Sequence, residues 1–251
     1  MTLIGPASGR LASGRVGAGR LVEPALVVDA LKACLGKANG DLVGRHVVIT
    51  AGGTREAIDP VRYVSNHSSG KQGYGLAEAA RDRGADVTLI STASLPDPGG
   101  VRVVRVDSAL EMLAAVQAAM RSAQVLIMAA AVADYRPAEA AEQKIKRADM
   151  GGELMIPLVE NPDISKEASG EFVKVVFAAE TQNLIENAAK KLVAKGAALI
   201  VANDVSASDA GFGVDTNRVV ILDAKGGRED LPLMSKYEVS QRILDRVAAL
   251  L

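Results

Sequence analysis

The segment at 62–75 combines residue types that suit phosphate binding. It places serine hydroxyls directly before Gly70, where a helix is predicted to begin. Free backbone amides at a helix N-terminus attract anions, and glycines let the backbone approach a ligand closely. The segment and the glycine-rich turn before it therefore predict a phosphate or substrate site formed by Gly53, Ser68, Ser69, Gly70 and Gly73. A tight turn with close helix–sheet packing is the alternative interpretation of the same glycines.

A second polar segment, at 134–152, carries a carboxylate and a basic cluster. Asp134 follows an apolar stretch, and Lys144, Lys146 and Arg147 come later in the same segment. Mg²⁺ takes one or two carboxylates together with phosphate oxygens, and a basic loop can close on a triphosphate. The segment therefore indicates a nucleotide site with Asp134 as a metal ligand. A solvated run of charges is the alternative that the residues alone leave open.

Further candidate residues follow strands or lie on a helix later in the chain. They are Asn161, Pro162, Asp163 and Ile164 in a turn that leads into a helix, Phe177 at the end of a strand, and Lys191 with Lys195 on one face of a helix. Their structural alternatives are a helix N-cap, core packing and ordinary surface lysines.

Apolar stretches alternate with helical patterns over most of the chain. Strands are predicted at 46–50, 86–90, 101–106, 125–130, 154–159, 173–178, 198–202 and 218–222, and helices at 70–83, 108–122, 183–195 and 235–251. Nearly continuous apolar strands that alternate with helices are typical of a mostly parallel sheet covered on both faces. We therefore expect a Rossmann-like α/β fold, with ligands at the carboxyl ends of the strands.

The first 40 residues differ from the rest. Residues 5–20 are rich in Gly, Ser and Arg, with too little apolar surface to offset the entropy of ordering. A helix is predicted at 23–36, where Gly36 would end it, followed by a linker at 37–41.

Composition excludes several classes of protein. The formal net charge of the 251 residues is −1, unlike the strongly basic balance of a nucleic-acid binder. No apolar stretch approaches the ~20 residues of a membrane helix. One cysteine and two histidines provide neither a disulfide framework nor a four-ligand zinc site. We expect a cytoplasmic protein that binds neither nucleic acid nor membranes.

Two common nucleotide motifs are absent in their usual form. A dinucleotide fingerprint places G-x-G-x-x-G directly after the first strand, whereas here a long insertion separates Gly53 from Gly70. A Walker motif requires Ser or Thr after Gly-Lys, and Gln72 stands there. A nicotinamide-dependent oxidoreductase and a non-catalytic nucleotide-binding module are kept as alternative functions.

Several of these motifs, in this order, resemble the phosphopantothenate–cysteine ligase family. The most specific is Asp59-Pro-Val-Arg-Tyr-Val-Ser-Asn-His-Ser-Ser-Gly-Lys71, and the others lie at 50–56, 129–135, 144–146, 161–164, 177–181 and 202–204. The resemblance extends from about residue 44 to the end. Residues 6–14 and 19–24 resemble the tail of the flavin-dependent decarboxylase that precedes this ligase in bacteria. The two resemblances together imply a remnant decarboxylase tail and linker at 1–40 and a ligase domain at 41–251.

The resemblance also implies a reaction and residue roles. The ligase would use CTP and Mg²⁺ to convert 4'-phosphopantothenate into an acyl-cytidylate, which the amine of cysteine then attacks. Asn66 would hold the activated carboxylate, Lys144 would stabilise phosphate charge, and Arg62 would support the Asn66 loop or contact substrate. The remaining candidates would surround the nucleotide: Ala130, Asp134, Asn161, Pro162, Asp163, Ile164, Phe177, Lys191 and Lys195. A homodimer and an upstream flavin decarboxylase domain are implied as partners, with no flavin expected in the present chain.

Overall fold

The computed structural model describes residues 3–146, 153–180, 182–204, 211 and 213–251. Arg147, the last member of the predicted basic cluster, lies outside the described residues.

Within these ranges the chain forms strands and helices in alternation. The strands are β1 (Ala7–Arg10), β2 (Val16–Arg20), β3 (His46–Ala51), β4 (Arg55–Ala57), β5 (Tyr63–Ser65), β6 (Asp86–Ser91), β7 (Arg102–Arg105), β8 (Val125–Met128), β9 (Tyr135–Pro137), β10 (Leu158–Glu160), β11 (Val173–Glu180), β12 (Leu199–Asp204), β13 (Thr216–Asn217), β14 (Val219–Asp223), β15 (Arg228–Asp230) and β16 (Met234–Ser235). The helices are α1 (Pro24–Asn39), α2 (Lys71–Asp82), α3 (Ala109–Ala119), α4 (Ile164–Glu167), α5 (Leu184–Ala194) and α6 (Lys236–Ala248).

An eight-stranded sheet has the order β15-β14-β12-β11-β8-β3-β6-β7. The strands from β7 to β12 pair in parallel, while β14 and β15 add antiparallel pairs at one edge. The chain moves outward from β3 through β6 to β7, and then returns to β8 on the other side of β3. Ligands bind at such a reversal point in open α/β sheets. The predicted fold class is confirmed, and the reversal lies between the loops that follow β3 and β8.

Two apolar layers cover the faces of this sheet. One contains Leu76 of α2 and Ile243 of α6, and the other contains Met112 of α3 and Leu192 of α5, all at most 6% exposed. The near-continuous apolar strands are explained by this burial on both sides. The rigid sheet fixes the loops at its carboxyl edge.

The prediction that Gly36 ends a helix is wrong, because α1 continues to Asn39. Gly36 instead permits close packing against the end of α2. A Cβ atom at this position would lie 2.4 Å from the carbonyl oxygen of Asp82. The residues predicted as a linker at 37–41 therefore begin inside the helix.

Two of the two-stranded antiparallel ribbons, β1–β2 and β9–β10, have three of their four strands in segments that were expected to be irregular. In the Gly-rich stretch, β1 pairs with β2, and most side chains of this hairpin are exposed. In the polar segment after β8, β9 pairs with β10, so the strand expected at 154–159 is limited to Leu158–Glu160. Local pairing of backbone groups orders these segments without an apolar core of their own.

Candidate active site

A cavity of about 880 Å³ opens at the reversal point of the sheet. Its walls come from loops and strand ends at the carboxyl edge of the sheet and from residues of several helices. The principal lining residues are 66–73, 128–135, 160–165 and 176–179, together with Lys191, Lys195, Asn203, Asn217 and Lys236.

Most of the sequence-predicted site residues meet in this cavity. They are Asn66, Ser68, Ser69, Gly70, Gly73, Ala130, Asp134, Asn161, Pro162, Asp163, Ile164, Phe177, Lys191 and Lys195. Gly53, Arg62 and Lys144 are not among the described lining residues. The structure therefore brings the Asn66 loop together with the predicted nucleotide residues, while Gly53, Arg62 and Lys144 lie outside the described cavity lining.

Two buried threonine hydroxyls fix the loop after β8. Thr50 Oγ1 accepts a hydrogen bond from the backbone amide of Ala130 at 3.1 Å, and Thr54 Oγ1 accepts one from Ala133 at 2.9 Å. Both threonines are fully buried. Neither was predicted as a site residue, because the sequence does not show what a threonine hydroxyl inside β3 or in the turn after it will contact. They position the backbone that forms one wall of the cavity.

The exposed side chain of Asn66 joins the other side of this loop. Its Nδ2 atom donates to the carbonyl oxygen of Val132 at 3.0 Å. From the segment after β10, Asn161 Nδ2 donates to the carbonyl oxygen of Ala133 at 2.8 Å. The loop after β8 is thus held by amide side chains from two other segments.

The glycines of the predicted phosphate segment are required by packing. Gly70, at φ +77°, is the N-cap of α2, and its added Cβ would lie 2.5 Å from the Cβ of Ala93. A Cβ at Gly73 would lie 2.5 Å from the Cβ of Ala51, and one at Gly53 would lie 2.5 Å from the carbonyl oxygen of Asn66. Close packing, the alternative interpretation, therefore accounts for all three glycines, although Gly70 and Gly73 also line the cavity.

Arg62 fixes the segment that carries Lys144. Its guanidinium pairs with the buried Asp59 carboxylate and donates to the carbonyl oxygen of Ile145 at 2.9 Å. The Ile145 amide donates back to Asp59 Oδ2 at 3.2 Å. The Arg62 guanidinium, aided by backbone amides, holds the pKa of the Asp59 carboxyl well below its usual range. Lys144 itself is exposed, so this clamp holds its backbone and leaves its side chain in solvent.

Asp163 and Lys195 form an ion pair in the cavity wall. The Lys195 Nζ atom lies 2.6 Å from Asp163 Oδ2, and Ser165 Oγ donates to Asp163 Oδ1 at 2.6 Å. Burial by itself would raise the pKa of the Asp163 carboxyl, but Lys195 and Ser165 outweigh it and lower the pKa. Asp163 also caps α4, accepting from the Lys166 amide. The N-cap alternative is correct for Asp163, whereas Lys195 is a paired wall residue.

Two buried lysines were missed by the sequence-based prediction. Lys236 lines the cavity at 6% exposure, and its Nζ atom donates to the carbonyl oxygens of Gly211, at 2.9 Å, and Val214. Lys174, 9% exposed, donates to the carbonyl oxygens of Ser165 and Lys195 at 2.6 and 3.2 Å. Burial lowers the pKa of both ammonium groups. A charge inside the apolar run of β11 was the available signal for Lys174.

In the part of the chain that the structure describes, neither a cluster of metal ligands nor a membrane-spanning helix is found. This part of the chain contains no group of three or more His, Cys, Asp or Glu side chains placed to hold a metal ion. It also contains no helix that is both long and apolar enough to cross a bilayer. Exposed Asp134 at the cavity suits a Mg²⁺ ion that is carried by nucleotide phosphates, because such an ion needs only one or two carboxylates.

Known proteins share this fold and sequence. The profile of the family described as "DNA/pantothenate metabolism flavoprotein C-terminal domain" matches residues 42–251. Coenzyme A biosynthesis bifunctional protein CoaBC of Bacillus subtilis is 48% identical over 98% of this chain and 62% of its own length. The Escherichia coli K12 protein of the same name is 46% identical over 97% of this chain and 61% of its own.

A solved structure agrees with these relatives. The crystal structure of the C-terminal domain of a CoaBC protein is 39% identical, with a TM-score of 0.72, and the match covers 84% of this chain and 98% of that one. The chain thus spans less than two thirds of the curated relatives, on their C-terminal side. The family expected from the Asp59-to-Lys71 motif is confirmed: the chain belongs to the DNA/pantothenate metabolism flavoprotein C-terminal domain family, and it is similar to the C-terminal domain of the CoaBC proteins.

Proposed function

We propose that the chain is a phosphopantothenate–cysteine ligase that uses CTP. The observation that carries this proposal is the meeting of the Asn66 loop with Asp134 and the Asp163–Lys195 pair in one cavity at the reversal point. Relatives named for coenzyme A biosynthesis support the substrate class. The cavity volume also suits the purpose, since small-molecule sites commonly measure about 300–1,000 Å³.

The proposed reaction has two balanced steps. A carboxylate oxygen of 4'-phosphopantothenate attacks the α-phosphorus of CTP, and pyrophosphate leaves with the electrons of the broken P–O bond. The amine of cysteine then attacks the acyl carbon of the mixed anhydride, loses a proton, and expels CMP. Neither step requires a covalent enzyme intermediate, so the protein acts by positioning reactants and stabilising charge.

Residues on the two sides of the cavity have different roles in this reaction. Asn66 holds the carboxylate and then the acyl-cytidylate, close to the loop that its amide already contacts. The nucleotide lies against Ala130, Phe177 and the wall made by the Asp163–Lys195 pair. Lys191 completes that wall from the same helix face, and Asn161, Pro162 and Ile164 form the turn beside it. A Mg²⁺ ion held by Asp134 and the phosphates would offset the negative charge of the triphosphate.

Lys144 must approach the cavity from the adjacent clamped segment. The Asp59–Arg62 pair fixes the backbone at Ile145, while the Lys144 side chain is exposed. Nucleotide binding would draw Lys144 towards the phosphates, because an exposed ammonium is attracted to their charge. Arg62 thus acts as a positioning residue.

The phosphate group of phosphopantothenate lies near Ser68, Ser69 and Gly70.

The same proposal covers domain organisation and assembly. Residues 1–40 correspond to the tail and linker of an upstream flavin decarboxylase, and residues 41–251 form the ligase domain. We propose a homodimer as the working form of the ligase.

The proposal is tested by following both half-reactions. CTP, 4'-phosphopantothenate and Mg²⁺ should release pyrophosphate, and addition of cysteine should yield the amide and CMP. Lys144→Gln should suppress pyrophosphate release, whereas Asn66→Asp should impair handling of the acyl-cytidylate once it has formed. Lys190→Gln is a matched control, because Lys190 is an exposed lysine that pairs with Glu186 outside the cavity. Wild-type turnover in both site variants, or NADH consumption in place of CTP consumption, would contradict the proposal.

A further inference from the structure

Helix α1 carries four of its five large apolar side chains on the side that faces away from the rest of the protein. Val27, Val28, Leu31 and Leu35 lie on one helical face and are 40%, 49%, 56% and 57% exposed. A helix on a protein surface normally directs its apolar stripe to the core and its polar side to water. The arrangement in α1 is the reverse.

Small and charged residues of α1 and of its C-cap make the contacts with the rest of the protein. Beyond the Gly36 contact, a Cβ at Gly40 would lie 2.0 Å from the carbonyl oxygen of Arg83. Asp29 pairs with the buried Arg81 at 3.6 Å, and the Lys32 ammonium lies 5.1 Å from the ring centroid of Tyr237. These contacts fix the rotation of the helix, so the four large apolar side chains cannot turn inward.

The exposed stripe is therefore a surface that a partner would cover. Single exposed apolar residues are common, but a contiguous group on one helix marks an interaction site. The spacing of Val28, Leu31 and Leu35 provides anchors of the kind that a helix presents to an apolar groove.

The position of α1 in the chain identifies the partner. The helix precedes residue 42, where the family match begins, and the similar C-terminal domain structure covers 84% of this chain. The Bacillus subtilis relative aligns with 98% of this chain, which includes α1, and the match spans only 62% of its own length. In that relative, the counterpart of α1 therefore lies at the junction with the part of the protein that precedes the matched region.

We propose that the outward face of α1, formed by Val27, Val28, Leu31 and Leu35, docks against an upstream flavoprotein domain of the kind found in the bifunctional relatives. The surface would hold that domain at a fixed orientation, with α1 packed between the two domains. The proposal rests on the domain order given above and is independent of the chemistry in the cavity.

The test compares this chain alone with the same chain placed behind the unmatched N-terminal part of the Bacillus subtilis relative. Hydrogen exchange of peptides covering 24–39 should slow by roughly tenfold in the joined protein, because a docked face must open before exchange. Leu31→Glu together with Leu35→Glu should abolish this protection. Peptides from α6 should exchange equally in both proteins.

Controls separate docking from loss of folding or activity. Val193→Glu changes an exposed apolar residue on α5, 81% exposed, and should leave the protection of α1 intact. Leu31→Ala with Leu35→Ala gives a milder variant in case the glutamates disturb the helix. Equal exchange in the joined and isolated proteins would overturn the proposal, as would protection that survives both pairs of substitutions. Protection that appears in the isolated chain with rising concentration would assign the face to a second copy and would also overturn it. Pyrophosphate release by the isolated variants reports on the ligase separately.

Discussion

Replacing Thr54 with valine should weaken the site while nearly preserving the shape of the side chain at position 54. Valine has nearly the same volume as threonine but lacks the hydroxyl that accepts from the Ala133 amide at 2.9 Å. Ala133 is only 5% exposed, so its amide would lose its partner in a place that water reaches poorly. Leaving a buried donor unsatisfied costs about 1–3 kcal/mol.

This cost predicts both a thermal shift and a kinetic effect. For a domain of this size each kcal/mol corresponds to roughly 2–4 °C in Tm, so Thr54→Val should lower the Tm by about 2–12 °C. Because Ala133 belongs to the cavity wall, relaxation of its backbone should raise the KM for CTP more than it lowers kcat. Calorimetry and a pyrophosphate-release assay measure the two effects.

Thr54→Ser is the matched control, since it keeps the hydroxyl and removes one methyl group. It should lose about 1 kcal/mol from lost apolar burial and keep a wild-type KM. If Thr54→Ser raised the KM as much as Thr54→Val, packing and not the hydrogen bond would position the loop. Unchanged stability and KM in Thr54→Val would refute the reasoning outright.

Three further predictions concern charged or ionisable groups. A double-mutant cycle of Asp163→Asn and Lys195→Met should give a coupling of about 1 kcal/mol in chemical denaturation, and a coupling near zero would show that the pair contributes nothing. Arg62→Gln should speed tryptic cleavage after Lys144 several-fold by releasing the clamp at Ile145, and an unchanged cleavage rate would count against the clamp. Burial and a hydrogen bond to a carboxylate raise the pKa of Tyr237 to about 12 from 10.0, so the unfolded chain releases this proton first and stability falls as pH rises from 10.0 to 12. Tyr237→Phe should reduce this loss of stability, measured by denaturation at alkaline pH. A pH profile of stability identical to that of the wild type would show that Tyr237 does not cause the loss.

The fold followed closely from the sequence because burial on both faces leaves a strong pattern. Continuous apolar runs marked β3, β8 and β11, and glycine marked the end of α2. The same reasoning failed at Gly36, where a glycine inside a helix serves a close contact with Asp82 that no local pattern reveals. The β9–β10 ribbon was missed because its pairing partners are separated by a long polar segment.

The candidate site was predicted in part. The loop after β8 pointed to Asp134, since ligands bind at the carboxyl edge of a parallel sheet. The roles of Asn66 and Asp163 were indicated by the family resemblance. Lys236 is buried against carbonyl oxygens of a distant segment, and only tertiary packing brings it to the cavity.

The central claim is that the cavity forms an acyl-cytidylate from CTP, and a single-turnover experiment without cysteine tests it most directly. The wild-type chain, 4'-phosphopantothenate and Mg²⁺ would be mixed in turn with CTP, ATP, GTP and UTP, and pyrophosphate and the mass of the acyl-nucleotide would be measured. The account predicts about one pyrophosphate per chain with CTP and a matching acyl-cytidylate, which disappears when cysteine is added. Pyrophosphate release without an acyl-cytidylate, or no release with CTP, would contradict it.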